Sequence, residues 1–121
     1  MKPKIVAAKS LTETPTLEQC FIRENWSSKN VSVARARVKA GVTTAAHHLA
    51  GVDELYLVMQ GKGLVRVGKL QPTEVVAGDI VFMPAGARQQ ITNISRSDLI
   101  FYCICNPRFT EKCYRDEEEN H

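Results

Sequence analysis

The sequence contains GVTTAAHHLAGVDELYLVMQG at residues 41–61 and GDIVFMPAGARQQITN at residues 78–93. Both stretches place β-branched and other apolar residues, which favour strands, between Gly, Pro, Asn and Asp, which favour turns. Short apolar runs of this kind extend from Val31 to Ile104, with turn signals too closely spaced to leave room for packed helices. The pattern therefore predicts an all-β domain.

Seven strands are predicted in this region. They are Val31–Lys39, Leu55–Met59, Gly63–Val67, Thr73–Val76, Ile80–Met83, Gln89–Ile94 and Leu99–Cys105. Antiparallel strands of this length can bury their faces in a sandwich or in a closed barrel, and closure also removes exposed edges. The pattern by itself does not separate a barrel from a sandwich.

The composition predicts one domain over residues 1–121, since a chain of 121 residues with 44% hydrophobic and 24% charged residues has the balance of a single globular core. The barrel core is expected at about residues 31–105. Residues 1–30 are expected to form an edge strand at Ile5-Val6, a loop and a second strand near residues 20–26. Residues 106–121 form a charged tail that is expected to lie on the surface or fray after Pro107.

Charge and hydropathy exclude several classes of partner. The 16 basic residues are scattered and outnumber the 13 acidic ones only slightly, so nucleic acid is not the implied partner. Apolar stretches such as Leu55–Met59 are far shorter than the roughly 20 residues that span a bilayer. Because the apolar run at the N-terminus is also too short for a secretion signal, we expect a cytoplasmic protein with four free cysteines.

Eight residues of the two stretches are spaced along the chain as in the conserved motifs of one protein superfamily. They are Gly41, His47, Glu54, Gly61, Gly78, Pro84, Gly86 and Asn93. This arrangement resembles the two motifs of the cupins, G-x5-H-x-H-x3,4-E-x6-G and G-x5-P-x-G-x2-H-x3-N. The resemblance covers the chain from about Val31 to Ile104 and implies a double-stranded β-helix, or jelly-roll, barrel. It also implies a homodimer, because cupins of this size are usually dimers.

The resemblance implies a metal site as well. In cupins the histidines and the glutamate of the first motif and the histidine of the second converge inside the barrel and commonly hold a divalent ion. Here these four positions are His47, Leu49, Glu54 and Gln89, so two of them depart from the usual ligands. The implied ligands are His47, Glu54 and Gln89, a set that suits Mn, Fe(II) or Ni better than structural Zn. The site could also lack a metal.

His48 is a further candidate ligand. Residues two apart share a face of a strand, so His47 and Leu49 point together and His48 points the opposite way. A β-bulge at His47-His48 would turn His48 inward, because bulges re-aim side chains. The alternative for either histidine is an ordinary strand residue that is hydrogen-bonded to a neighbour.

Tyr56 and Arg37 are candidate pocket residues. Tyr56 projects to the same side of its strand as Glu54. Arg37 shares a face with Arg35, and an inward arginine would bind a carboxylate or phosphate of the substrate. An outward arginine would belong to a charged stripe in solvent.

Two other strand faces are notable. Leu55, Leu57 and Met59 make the side opposite Glu54 apolar, so the N-terminal segment or a second subunit must cover it.

Cys103 and Cys105 also share a face, a pattern that more often reflects packing than a redox or metal pair.

Three functions are compatible with these residues. The first is a metal-dependent dioxygenase, isomerase or decarboxylase acting on a small organic acid or sugar derivative. The second is a metal-free isomerase or epimerase of sugar phosphates, in which a desolvated Glu54 and His47 transfer a proton next to a carbonyl. The third is a module that binds a small molecule without turnover. Fold analogy alone does not choose among them.

Overall fold

The computed structural model describes residues 2–118 and consists of two antiparallel β-sheets around one core. Within these residues the strands are β1 (Thr14–Pro15), β2 (Phe21–Ser28), β3 (Val31–Val38), β4 (His47–Leu49), β5 (Asp53–Gln60), β6 (Lys62–Val67), β7 (Thr73–Val76), β8 (Ile80–Met83), β9 (Gln89–Asn93), β10 (Leu99–Asn106) and β11 (Tyr114–Asp116). Short 3₁₀ helices occur at Ala8–Ser10 and Glu111–Cys113. No helix in the described residues has the length and apolar character needed to cross a membrane.

The strand order is that of a jelly roll. One sheet has the order β1-β2-β3-β10-β5-β8, and the other has the order β11-β4-β9-β6-β7. Strands distant in sequence are therefore neighbours, as where β10 lies between β3 and β5. The prediction of an all-β jelly-roll barrel is confirmed.

The core forms where the inner faces of both sheets meet. The larger sheet contributes side chains such as Val58 and Phe101, and the smaller sheet contributes Val65 and Ile91. On β5 the buried residues alternate with partly or fully exposed ones, as expected for a strand with one face in the core. All seven predicted strands are present, with ends within two residues of the predicted positions.

Two motif residues position the turns of the barrel. Gly61 has φ +86°, and a Cβ atom there would lie 3.0 Å from the carbonyl oxygen of Asp98, so a side chain would meet backbone. Asn93 is fully buried, and its Nδ2 donates to the carbonyl oxygens of Val38 at 2.9 Å and Ser97 at 2.8 Å. These residues account for part of the motif without a role in chemistry.

The edge strand lies at Thr14–Pro15, so its prediction at Ile5-Val6 is wrong. A turn after β1, in which the backbone N–H of Thr16 donates to the carbonyl oxygen of Cys20 at 2.9 Å, folds β1 back onto β2. Ile5 is instead 96% exposed. The predicted second strand near residues 20–26 corresponds to β2.

The tail lies on the surface at Arg115 and Asp116, one of the two arrangements predicted for it, but it forms an ordered strand there and Cys113 is buried. β11 pairs with β4 in antiparallel register, and Cys113 is buried with Leu49, Val52 and Cys105 in a small second core. The pairing occurs because β4 has an open edge that the tail can reach. The last part of the predicted tail, residues 119–121, lies outside the described residues.

Candidate active site

A cavity of about 200 Å³ opens between the sheets. Its wall is formed by side chains of β2, β3, β4, β5 and β10 and of the segments before β2, before β4 and after β10. The lining residues are Glu18, Cys20, Ile22, Glu24, Ser32, Ala34, Ala36, Thr44, His47, Leu49, Glu54, Tyr56, Phe101, Cys103, Cys105 and Phe109. The inner face of β3 carries only small residues beside this cavity, which leaves room for a ligand.

Glu54 is a buried carboxyl group in the cavity wall, with 6% of the residue exposed. Its Oε1 accepts a hydrogen bond from Gln89 Nε2 at 2.6 Å, and its Oε2 lies 3.6 Å from the thiol of Cys105, which donates to it. Desolvation by burial raises the pKa of Glu54, and it outweighs the lowering by Gln89 and His47. Glu54 therefore holds its proton to higher pH than an exposed glutamate does.

Gln89 joins Glu54 to Tyr56. Its Nε2 donates to Glu54 Oε1 and also to the Tyr56 hydroxyl oxygen at 3.0 Å, so both hydrogens of the amide are used. Within residues 2–118 the Tyr56 hydroxyl makes this hydrogen bond alone, as acceptor. Burial raises the pKa of Tyr56 well above its usual value, so its hydrogen stays in place and is available to a ligand oxygen.

His47 presents its imidazole to the same cavity and is 4% exposed. Its Nδ1 lies 3.0 Å from the carbonyl oxygen of Ala45, and its ring stacks on Tyr114 at a centroid distance of 4.8 Å. Because a carbonyl oxygen can only accept, Nδ1 carries the hydrogen in this bond. The Nε2 of the neutral ring then has a free lone pair and can act as a base.

Glu18 is a site residue that the sequence did not reveal. Its Oε2 lies 3.7 Å from His47 Nδ1, and its side chain lines the cavity while 25% exposed. Burial raises the pKa of Glu18, and a proton on His47 would oppose this increase. No sequence signal marked Glu18, because it lies far before the motif and reaches the site through the pairing of distant strands.

Three thiols line the cavity, those of Cys20, Cys103 and Cys105. Sequence reasoning treated the last two as packing residues and did not place Cys20 at the site. Burial raises the pKa of Cys20 to about 12 and that of the other two well above the usual range. The thiols are therefore uncharged groups in the wall rather than reactive nucleophiles.

His48 does not face the cavity, so its prediction as a metal ligand is wrong. Its Nδ1 lies 2.7 Å from Glu117 Oε2, on the other side of β4. The register from His47 to Leu49 against β11 is regular, so no bulge turns His48 inward.

Arg37 is not a pocket residue either, and that prediction is also wrong. It lies on the outer face of β3, where its guanidinium pairs with Glu13 at 2.7 Å and with Asp98 at 3.1 Å. The strand parity that turns Ala34 and Ala36 to the cavity turns Arg35 and Arg37 away. The cavity lining consequently has three carboxyl groups and one imidazole but no Lys or Arg.

The residues at the cupin ligand positions do not fit a metal ion. Leu49 supplies no donor, and Gln89 directs its amide nitrogen, which cannot coordinate, toward Glu54 and Tyr56. Both oxygens of Glu54 accept hydrogen bonds. Among residues 2–118 no three His, Cys, Asp or Glu side chains are grouped closely enough to hold a metal. His47, Glu54 and Gln89 are thus brought to one site, but Gln89 and Glu54 bind each other.

The comparison with protein families agrees with this fold. The Cupin domain model matches residues 34–105, which is more than half of the chain. The chain belongs to the cupin family. This cupin is 33% identical over 87 residues to an uncharacterized protein of Streptomyces coelicolor, covering 72% of the chain and 76% of that protein. It is 28% identical over 81 residues to an uncharacterized protein of Methanocaldococcus jannaschii, covering 67% of the chain and 64% of that protein.

Solved structures resemble this cupin over nearly its whole length. KdgF from Halomonas sp. has a TM-score of 0.83 at 12% identity, covering 92% of this chain and 99% of that one. The Streptomyces nucleoside dehydratase Pac13 has a TM-score of 0.81 at 13% identity, covering 99% and 95%. A predicted oxalate decarboxylase from Thermotoga maritima has a TM-score of 0.78 at 20% identity, covering 86% and 99%. At these identities the likeness shows the fold alone.

Proposed function

We propose that this cupin is a small-molecule enzyme that transfers protons with His47 and Glu54 and does so without a metal ion. The observation that carries the proposal is that an imidazole with a free Nε2 and a carboxyl group with a raised pKa line one cavity. Such a pair provides a base and an acid at the same pH. The hydrogen bonds between the Gln89 amide and Glu54 support an acid role over a ligand role.

The proposed step moves one proton in each direction. His47 Nε2 takes a proton from a carbon next to a carbonyl group, and the electron pair moves onto the carbonyl oxygen. Tyr56 donates a hydrogen bond to that oxygen. The electron pair then returns from the oxygen, and Glu54 delivers its proton either to the same carbon from the opposite face or to a hydroxyl group on the adjacent carbon, which leaves as water while the C=C bond forms. The first outcome is an isomerisation and the second is a loss of water. Pac13, which has the same fold, is described as a nucleoside dehydratase, and this supports the second outcome.

The cavity favours an uncharged substrate group of about one ring. An engineered cavity of about 150 Å³ holds benzene, so about 200 Å³ accepts a ring with a few substituents. Three carboxyl groups and no Lys or Arg line the wall, so a carboxylate or phosphate inside the cavity would lose its hydration without gaining a cationic partner. The enclosed part of the substrate is therefore a neutral carbonyl or polyhydroxy ring.

The proposal is tested by hydrogen exchange with solvent. The protein is incubated in D₂O with neutral single-ring ketones, pentoses and uridine, and mass spectrometry records deuterium uptake or loss of water. We expect one of these classes to react, His47→Gln and Glu54→Gln to lower its rate at least tenfold, and EDTA to leave the rate unchanged.

Matched controls come from residues of the same type outside the cavity. His48→Gln and Glu74→Gln should keep the wild-type rate, since His48 lies behind β4 and Glu74 is exposed. Loss of the reaction on chelation, or an equal rate in His47→Gln, contradicts the proposal. Binding of a ring compound without exchange favours a module that binds but does not convert its ligand.

A further inference from the structure

A second concave region, the basic groove, lies outside the cavity. It has a volume of about 380 Å³ and lies among the turn after β2, the loop between β4 and β5, and residues 107–115. Its lining residues are Lys29, Ala50, Gly51, Val52, Pro107, Arg108, Thr110, Lys112, Cys113 and Arg115. Four of them are cationic and none is acidic, in contrast to the cavity.

The backbone around the basic groove is held by hydrogen bonds between the segments that form it. The N–H of Ala50 donates to the carbonyl oxygen of Cys113 at 2.8 Å, and the N–H of Cys113 donates to that of Thr110 at 3.1 Å. The guanidinium of Arg115 donates to the carbonyl oxygens of Lys112 and Tyr114. These contacts hold the positive side chains on one surface instead of letting them separate.

The charges of the basic groove lack internal compensation. No ion pair joins Lys29, Arg108, Lys112 or Arg115 to a carboxylate within residues 2–118. By contrast, the charges of Arg35 and Arg37, on the outer face of the larger sheet, are compensated by ion pairs with Glu13. Four like charges around one open concavity repel one another, and an anion with two or more negative charges would relieve this repulsion.

We propose that the basic groove is a binding site for phosphate groups. Two arginines can each donate paired N–H groups to phosphate oxygens, two lysines add point charges, and the Thr110 hydroxyl adds a donor. This phosphate site is separate from the proposed active site, since the groove contains none of the residues that carry the proposed proton transfer.

The position of the basic groove allows two sources of the phosphate. Arg108 and Thr110 line the groove, whereas Phe109 between them lines the cavity. A phosphate in the groove is therefore carried either by a ligand whose ring enters the cavity or by a separate effector. The first source rests on the proposed function, and the second does not.

Calorimetry with inorganic pyrophosphate tests the site. We expect saturable binding that weakens steeply between 50 mM and 500 mM NaCl, and at least tenfold weaker binding by Arg108→Gln/Lys112→Gln. The control variant Lys69→Gln/Arg96→Gln removes two exposed cations outside the groove and should bind as the wild type does. Thermal unfolding verifies that both variants fold. Absence of binding, or equal loss in the control variant, overturns the proposal.

Ribose 5-phosphate then identifies the source. Ala34→Leu fills part of the cavity and leaves the groove intact. If the ring enters the cavity, this variant binds ribose 5-phosphate at least tenfold more weakly but keeps its affinity for pyrophosphate. If the phosphate is a separate effector, Ala34→Leu binds both compounds as the wild type does. Both results support the phosphate site. If Arg108→Gln/Lys112→Gln binds either compound as tightly as the wild type does, the phosphate site is contradicted.

Discussion

Gln89 determines what kind of site this cupin has. At the position of a motif histidine it offers two N–H donors, and both are used by Glu54 and Tyr56. A histidine there would present a lone pair to the cavity, whereas the amide holds the Glu54 carboxyl group and a tyrosine in place. The residue type at this position therefore supports the proposed proton transfer over metal coordination.

The buried carboxyl of Glu54 should make stability depend on pH. Burial raises its pKa above 4.5, so the folded state binds more protons than the unfolded chain between pH 4.5 and the raised pKa. The free energy of unfolding therefore falls as pH rises through this window, by about 1.4 kcal/mol per unit of pKa shift. The stability that the raised pKa of Glu54 contributes is fully present below pH 4.5.

Urea unfolding of wild type and Glu54→Gln from pH 4 to pH 8 measures this effect. We expect the stability of the wild type relative to Glu54→Gln to decrease across the range, because the glutamine stays neutral. Glu74→Gln, at an exposed position on β7, should follow the wild-type curve. Parallel curves for wild type and Glu54→Gln would show that burial does not raise the pKa of Glu54 in the folded state.

Restoring the motif histidines should create a metal site. Leu49→His/Gln89→His places two imidazoles beside His47 and Glu54 and removes the amide group that is hydrogen-bonded to Glu54. We expect this variant, unlike the wild type, to bind Co(II) with visible absorption bands and to gain about 2.7 kcal/mol of stability at a hundredfold excess over Kd. Adding Glu54→Gln should weaken the binding. Equal Co(II) binding by the wild type would refute our interpretation of the donor set.

At the level of elements, β11 supports the strand that carries the base. It pairs with β4 along its length, and Tyr114 stacks on the His47 ring at an interplanar angle of 23°. The chain also connects at both ends of this pairing, since Glu118 accepts from the N–H of Ala46 at one end and the carbonyl oxygen of Cys113 accepts from the N–H of Ala50 at the other. The tail is thus a structural part of the site.

Tyr114 is therefore expected to act as a positioning residue. Tyr114→Ala should cost about 0.5–1.5 kcal/mol of stability through the lost ring contact and should lower the deuterium exchange rate roughly tenfold. Tyr114→Phe keeps the ring and should restore the rate, which is measured at saturating substrate. If the alanine variant loses stability but exchanges deuterium at the wild-type rate, His47 does not depend on the stacking.

For the whole molecule, the outer face of the larger sheet is the most apolar exposed surface that we identify. Leu55 lies between Phe82 and Ile104 across neighbouring strands, and Leu57 pairs with Ile80 in the next row. Phe82 is 54% and Ile80 is 62% exposed. The described N-terminal segment does not replace a partner there, because β1 pairs at the opposite edge of this sheet.

We therefore expect a homodimer formed by this face. Light scattering coupled to gel filtration should give twice the mass of the chain, and Phe82→Glu should shift the protein to monomer, because it buries an unpaired charge in the interface. Leu70→Glu adds the same charge at an apolar residue that is 71% exposed in a loop, and it should remain dimeric. A monomeric wild type at micromolar concentration would exclude the dimer.

Much of the barrel was predictable because its signals are local. Short apolar runs between turn residues indicated seven strands. The motif spacing indicated the cupin family without any knowledge of tertiary contacts. For the same reason the side of β5 that carries Glu54 and Tyr56 was predicted correctly, since strand parity depends only on neighbouring residues.

Tertiary contacts decided the rest. Parity groups Arg35 with Arg37 but does not say which face of β3 meets the core, and the pairing with Glu13 and Asp98 places the arginines outside. Glu18 and Tyr114 come to His47 from opposite ends of the chain, by strand pairing that no local pattern encodes. The sequence by itself determined seven strands of the barrel and the family. Burial and long-range pairing raise the pKa of Glu54 and set the direction of the Gln89 amide, on which the proposed chemistry rests, because these depend on neighbours distant in sequence.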